Sequence, residues 1–303
     1  MSAPVATAFR RVGGLDMLTW PAFDSLGVDA GVTARAGGVS SGPYASLNLS
    51  LTVGDDQESV LENRRRVAAA FGAGLDDFVF ARQVHGAGVR MVSGADAGSG
   101  TISVADAVAD TDALVTATPG LVLAILTADC VPIVLHDPVA GVLACVHSGW
   151  RGTVARIAAA AVGTMEKLGS RPGDIVAGVG PAMDPARYQV GPDVRAAVTE
   201  AFDPLADSLL RPDPEHDQRW FLDLWAANRL VLTEAGLREE NVHVTDTATG
   251  PNTAAAPSTA AAPNTAAAPN TVAGPEFFSD RAARPCGRLA LVARLRESQE
   301  GNR

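Results

Sequence analysis

Cys130 and His147 each sit where an apolar run meets a polar break, and the chemistry of this chain is to be sought there. The runs Leu121–Leu126 and Val131–Leu135 flank Thr127-Ala128-Asp129-Cys130, and a third run, Gly141–Val146, ends at His147. A thiol and an imidazole at the edges of buried strands suit two chemistries. The imidazole can lower the thiol pKa and make a nucleophile pair. With His85, at the end of Phe78–Val84, the same two residues form an N₂S donor set. Catalytic zinc takes three protein ligands and keeps a fourth position open for water or substrate. The residues leave the metal and the Cys130–His147 pair both open, because one thiolate serves either.

His147 leads straight into Ser148-Gly149-Trp150-Arg151-Gly152-Thr153. Glycine lets backbone approach a ligand closely, and Thr153 is placed to cap a helix over Val154–Leu168. A helix start beside Arg151 would make an anion site. Asp129 is a candidate base, or a carboxylate that orients a ligand histidine. Neighbouring strand residues point to opposite faces, so Asp129 and Cys130 share a pocket only if the chain turns between them. Cys145, inside an apolar run, reads as a core residue.

Several elements must hold these residues. The apolar runs of 121–146 read as strands covered on both faces, with a turn at His136-Asp137-Pro138. The spacing predicts a helix over Asp55–Phe71 that stops at Gly72, with Arg64-Arg65-Arg66 on a solvated face. Phe78–Val84 reads as a strand, as do Ile175–Gly180 and the last run, Leu289–Ala293. Further helices are expected at Asp193–Phe202 and Phe221–Glu234, with a polar loop at Asp203–Arg219 that contains His216. Residues 251–274 differ in kind. They repeat PNTAAA-like hexapeptides with Pro251, Pro257, Pro263 and Pro269, so no helix grows and no bulky side chain is offered to a core. The tract reads as a disordered insertion within one domain spanning 1–303.

Composition narrows the classes. The 303 residues carry 24 Lys and Arg against 34 Asp and Glu, a formal charge of −10. That balance argues against nucleic-acid binding, which needs clustered cations. No apolar run is long enough to span a bilayer and no signal-peptide core is present, so a cytoplasmic protein away from membranes is expected. Three cysteines without a CxxC do not form a disulfide framework. With only five histidines and no His-x-His pair, a multicopper site is rejected.

The motifs TADCVPIVLHDP (127–138) and HSGWRGT (147–153) resemble the YfiH/YlmD family, once called laccase-domain or polyphenol oxidase proteins. So do GVTARAGGVSSGPYASLNL (31–49), RQVHG (82–86), DALVT (112–116), GVGPAMDPARYQVG (178–191) and FFSDRAARPCGR (277–288). The resemblance implies an α+β fold with mixed β-sheets covered by helices in αββα layers, of the CNF/YfiH cysteine-hydrolase type. It implies Zn²⁺ on His85, Cys130 and His147, with Cys130, His147 and Asp129 as catalytic residues. Arg35, Asn48, Arg151 and Arg281 are the implied substrate contacts. The implied activity is phosphorolysis of purine nucleosides with inorganic phosphate, with adenosine deamination alongside. A Cys–His hydrolase or amidase in peptidoglycan editing is the alternative, and a non-catalytic metal-binding protein the third reading. Ala182, Thr245-Asp246 and SDRAARPCGR depart from the family pattern on the C-terminal side of the pocket.

Overall fold

The strand Val142–Ser148 is buried along its whole length because its two faces serve two different cores. Val142, Ala144 and Val146 belong to one cluster, with Ile157 and Ala161 of a covering helix. Leu143 and Cys145 belong to another, with Leu123, Ile125 and Leu291 of a second sheet. The two-residue period of a strand sorts them. His147 continues the Leu143 and Cys145 parity at the end of this inter-sheet layer, while Ser148 continues toward the helices.

The computed structural model describes residues 7–245, 247–250 and 277–297. Two six-stranded mixed sheets pack face to face. In the first the order is Ala8–Val12, Leu15–Thr19, Val28–Thr33, Leu289–Leu295, Val122–Thr127, Phe78–Phe80. In the second it is Val242–Val244, Val176–Val179, Val131–Asp137, Val142–Ser148, Ala113–Thr116, Val89–Met91. The helix Gln57–Ala70 covers the outer face of the first sheet, setting Val67, Ala68 and Phe71 against Phe78, Phe80, Ala124 and Val292. Each large side chain removed from water there contributes roughly 1.5–3 kcal/mol. The helices Ile157–Glu166, Pro192–Phe202 and Leu224–Glu234 cover the second sheet. The layers therefore run helix, sheet, sheet, helix, the α+β single-domain arrangement expected from the sequence.

Two features of this order make the site. Val122–Thr127 lies in the first sheet and Val131–Asp137 in the second, so Ala128-Asp129-Cys130 is the crossover between them. Asp129 takes a left-handed φ of 84°, a region that Asp and Asn enter more readily than most residues. The chain thus turns where the sequence required it to. Leu289–Leu295, which comes after the repeat tract in sequence, is a central strand, antiparallel to both Val28–Thr33 and Val122–Thr127. The tract itself lies outside the described residues. Its flanks are joined through Asp129, whose carboxylate accepts from the Thr249 hydroxyl and the Arg281 amide.

Local expectations need four corrections. The first helix is capped by the Asp56 side chain, which accepts from Ser59 N, and Arg64 on it is buried, not solvated. The helix after His147 starts at Trp150, with Gly149 as its N-cap, and runs only to Val154. Arg156 then turns left-handed (φ 58°) before Ile157–Glu166 begins. Thr153 is no cap, since its hydroxyl is buried against Ser148 and Asn228. Phe221–Glu234 divides into a strand, Trp220–Leu222, and a helix, Leu224–Glu234, capped by Asp223. The polar loop at 203–219 holds a helical turn, Ala206–Leu209, and a strand, Leu210–Pro212, nucleated by buried Leu209 and Leu210. No helix among the described residues is long and apolar enough to cross a membrane.

Candidate functional site

Asp112, completely buried, organises the site. Its carboxylate accepts hydrogen bonds from three successive backbone N–H groups, Val84 (3.2 Å), His85 (3.0 Å) and Gly86 (2.8 Å). The turn that aims these amides needs His85 at a φ of 58°. The same carboxylate lies 2.8 Å from His147 Nδ1, and His147 N donates to the Asp112 carbonyl at 2.7 Å. One carboxylate therefore fixes the loop carrying His85 and the ring of His147. Burial alone would raise its pKa, but the His147 bond and the backbone donors outweigh that and hold it below the usual carboxylate range.

With Nδ1–H donated to Asp112, His147 has Nε2 left for a metal or a thiol. The His85 and His147 rings meet edge to face, with centroids 4.8 Å apart. The donor atoms of His85, Cys130 and His147 all lie within 4.8 Å of one another, and among the described residues this is the group of such side chains that converges. Burial opposes ionisation of Cys130, yet the neighbouring His147 and His85 pull its pKa well below the ordinary thiol value. Burial likewise opposes charge on His147, but Cys130 and Asp112 push its pKa up. A thiolate beside two imidazoles is a donor set that fits a borderline ion such as Zn²⁺. Gly149 is part of this fit. A Cβ there would stand 2.8 Å from Cys130 Sγ and 3.4 Å from His85 Cδ2. Its φ of −75° is ordinary, so what requires glycine is space.

These residues open into a cleft of about 790 Å³ that also touches Asp129, Trp150, Arg151, Tyr188 and Arg281. Arg151 lies over the Trp150 ring at 4.4 Å and Arg281 over the Tyr188 ring at 5.4 Å. Burial and the nearby Cys130 raise the Tyr188 phenol to about 12, so it stays neutral. Asp129 shares the cleft with Cys130, but both of its oxygens are taken, by Thr249 Oγ1 (2.6 Å) and Arg281 N (2.7 Å). It therefore clasps the two flanks of the insertion, and Asp112, not Asp129, orients the histidine.

Two expected substrate contacts stand elsewhere. Arg35 does not line the cleft; it donates to the Ala45 carbonyl and lies 4.9 Å from the Phe278 ring centroid. Asn48 is 0% exposed. It holds the Ser50 and Arg288 amides and the Asp55 carboxylate, and so shapes a wall without facing it. Arg151 and Arg281 do reach the cleft, although the helix beginning beside Arg151 has only five residues and begins at Trp150, not after Gly152. Sequence reasoning missed Asp112, Tyr188 and Arg64. For Asp112 the available signal was an acid immediately before the buried strand Ala113–Thr116.

A family model described as multi-copper polyphenol oxidoreductase laccase matches residues 29–296. A purine nucleoside phosphorylase of Deinococcus radiodurans is 46% identical over 224 residues, covering 74% of this chain and 80% of that one. The adenosine deaminase RL5, from an unknown prokaryotic organism, is 39% identical over 216 residues, covering 71% and 82%. The crystal structure of the hypothetical protein YfiH of Bacillus licheniformis superposes with a TM-score of 0.83 at 31% identity, covering 95% of this chain and 99% of that one.

Proposed function

Since the chain belongs to the laccase-named family whose model spans 29–296, we propose that it is a zinc-dependent purine nucleoside phosphorylase with adenosine deaminase side activity. The convergence of His85, Cys130 and His147 in the wall of a cationic cleft carries this reading. Among the described residues Arg64, Arg82, Arg151, Arg281, Arg284 and Arg288 face that cleft against only Asp129 and Asp280. A chain with a net charge of −10 has gathered cations where an anionic co-substrate would enter. The names of the similar proteins, one phosphorylase and one adenosine deaminase, support the same substrate class.

Zn²⁺ on the three donors would supply a Lewis acid, and a means of lowering the pKa of water for deamination. The chain's own residues do the rest. Asp112 holds His147 in one tautomer, so that the ring nitrogen facing the cleft is a donor-free ligand. Tyr188, backed by the Arg281 guanidinium, offers a flat wall against which a purine can stack. Arg151, exposed and braced on Trp150, draws an anionic co-substrate into the cleft. A reducing cytoplasm keeps the ligand thiolate competent. The multicopper chemistry in the family's description finds little support in the donors. Of the other histidines, His136 is bonded to the Leu26 and Val142 carbonyls and His216 to Asp213.

A second reading has a specific observation behind it. Asp112, His147 and Cys130 form a chain of the kind that activates a thiol nucleophile, as a Cys–His hydrolase in peptidoglycan editing would need. Adenosine turnover with and without phosphate separates the two. The expected result is adenine and ribose 1-phosphate only when phosphate is present, inosine in its absence, and loss of both on chelation. Arg151→Ala should lower phosphate-dependent turnover at least tenfold, the scale of a lost charge-assisted contact of ~1.5–3 kcal/mol, and spare deamination. Absence of adenine under every condition, or activity that survives chelation but not thiol alkylation, would favour the hydrolase.

A further inference from the structure

Among the described residues Arg64 is the one cation of the cleft that is almost fully buried, 3% exposed, and no charged side chain answers it. On the same helix Arg65 and Arg66 face solvent and pair with Glu62. Arg64 turns inward and lines the cleft. Its Nε donates to the Leu49 carbonyl (2.9 Å), and its Nη1 to the Gly100 (2.7 Å) and Thr101 (2.8 Å) carbonyls. The guanidinium carbon lies 4.0 Å from the Phe80 ring centroid. All of these partners are neutral. Among the described residues no carboxylate pairs with Arg64, and nothing accepts from Nη2.

Nη2 is not sealed in either. Among the described residues the buried side-chain nitrogens and oxygens without a partner are Trp20 Nε1 and Ser170 Oγ. The free edge of Arg64 therefore keeps accessible surface, and the space it lines is the cleft. Burying a cation without a counter-ion is costly, and desolvation draws the Arg64 pKa down to about 10. The surroundings do not supply the missing anion. Asp280, an acid of the cleft wall, is already held by Arg284 and Arg288. Ser50 and Thr52, whose hydroxyls are 3.0 Å apart, add polar groups to the same wall.

We infer that the cleft wall at Arg64 is a phosphate subsite, in which Nη2 of Arg64 is the donor that a tetrahedral oxyanion completes. Guanidinium suits this task because its fixed fork can bind backbone carbonyls on one side and a phosphate oxygen on the other. Two sources carry that anion: free orthophosphate, and the 5′-phosphate of a nucleotide held in the same cleft. The choice of orthophosphate rests on the phosphorylase reading; the anion subsite does not.

Calorimetric titration of the full-length, metal-loaded protein with orthophosphate, adenosine and adenosine 5′-monophosphate tests this. Orthophosphate that binds equally well in saturating adenosine identifies the co-substrate source. A monophosphate that binds at least tenfold tighter than adenosine identifies the nucleotide source. In either case Arg64→Gln should weaken the anion at least tenfold and leave adenosine affinity unchanged. If Arg64→Gln does not fold, Arg64→Lys decides, since its ammonium cannot both hold the three carbonyls and reach the anion; a tenfold loss is again expected. Anion affinity unchanged in the folded variant, or wild-type protein that binds neither anion, overturns the inference. Phosphate binding that depends on Arg64 without any phosphorolysis would defeat only the phosphorylase reading. Phosphorolysis undiminished in Arg64→Gln would defeat only the subsite.

Discussion

The Asp112 carboxylate and His147 Nδ1 are 2.8 Å apart, and this contact joins the two histidines of the site through one acid. The carboxylate that fixes the His147 ring also receives the His85 amide. Removing it would free both rings at once. Asp112→Ala is expected to weaken metal binding by 10–100-fold, the usual range when the group orienting a ligand histidine is lost. Competition with a chromophoric chelator measures this, and an unchanged affinity would remove Asp112 from the site.

Gly149→Ala isolates the steric requirement. The added methyl would fall 2.8 Å from the Cys130 sulfur on a backbone that accommodates alanine without strain. Metal stoichiometry should drop sharply while the melting temperature shifts by only a few degrees, because no core side chain is removed. Full metal occupancy in this variant would mean that Cys130 is free to move. Cys130→Ala is the control, and metal retained there would contradict the donor set outright.

Asp137 predicts a pH signature distant from the site. It is 1% exposed and its carboxylate accepts from the Val139, Ala140 and Arg171 amides. Burial would raise its pKa, but those backbone donors outweigh it and hold the value below the usual range. A depressed folded pKa gives stability that is fully present above the unfolded value of about 3.9 and lost as pH falls through the folded one. Asp137→Asn should therefore cost ~1–3 kcal/mol near pH 7. The gap between the two proteins should narrow below about pH 4. Urea unfolding across pH checks it, and a gap that widens on acidification would reverse the sign.

The repeat tract should be dispensable for the site. Its flanking residues Thr249 and Arg281 are both tied to Asp129. Deleting residues 251–268 shortens the connection by less than two doublings, which alters loop-closure free energy by ~1 kcal/mol. Metal content and melting temperature should stay near those of the full chain. A large fall in either would assign the tract a packing role.

Cys130 and His147 could be singled out from the sequence because their signal is local. Each interrupts an apolar run, and a run buried on both faces has only its ends to offer to solvent. The helix Gln57–Ala70 and the strands of 122–148 were legible for the same reason, since periodicity acts over a few residues. The partner of His147 was not. Asp112 meets it because Ala113–Thr116 pairs antiparallel with Val142–Ser148 in the register Ala113 to Val146. The next position along brings residues 112 and 147 opposite each other, and a register shift would separate them. Arg64 escaped as well, because a run of three arginines does not say which one lies over Phe80. Asn48 looked like a loop contact until the strand Leu289–Leu295 placed Arg288 against it. In each case the sequence determined what a residue can do, and long-range strand pairing decided what it faces.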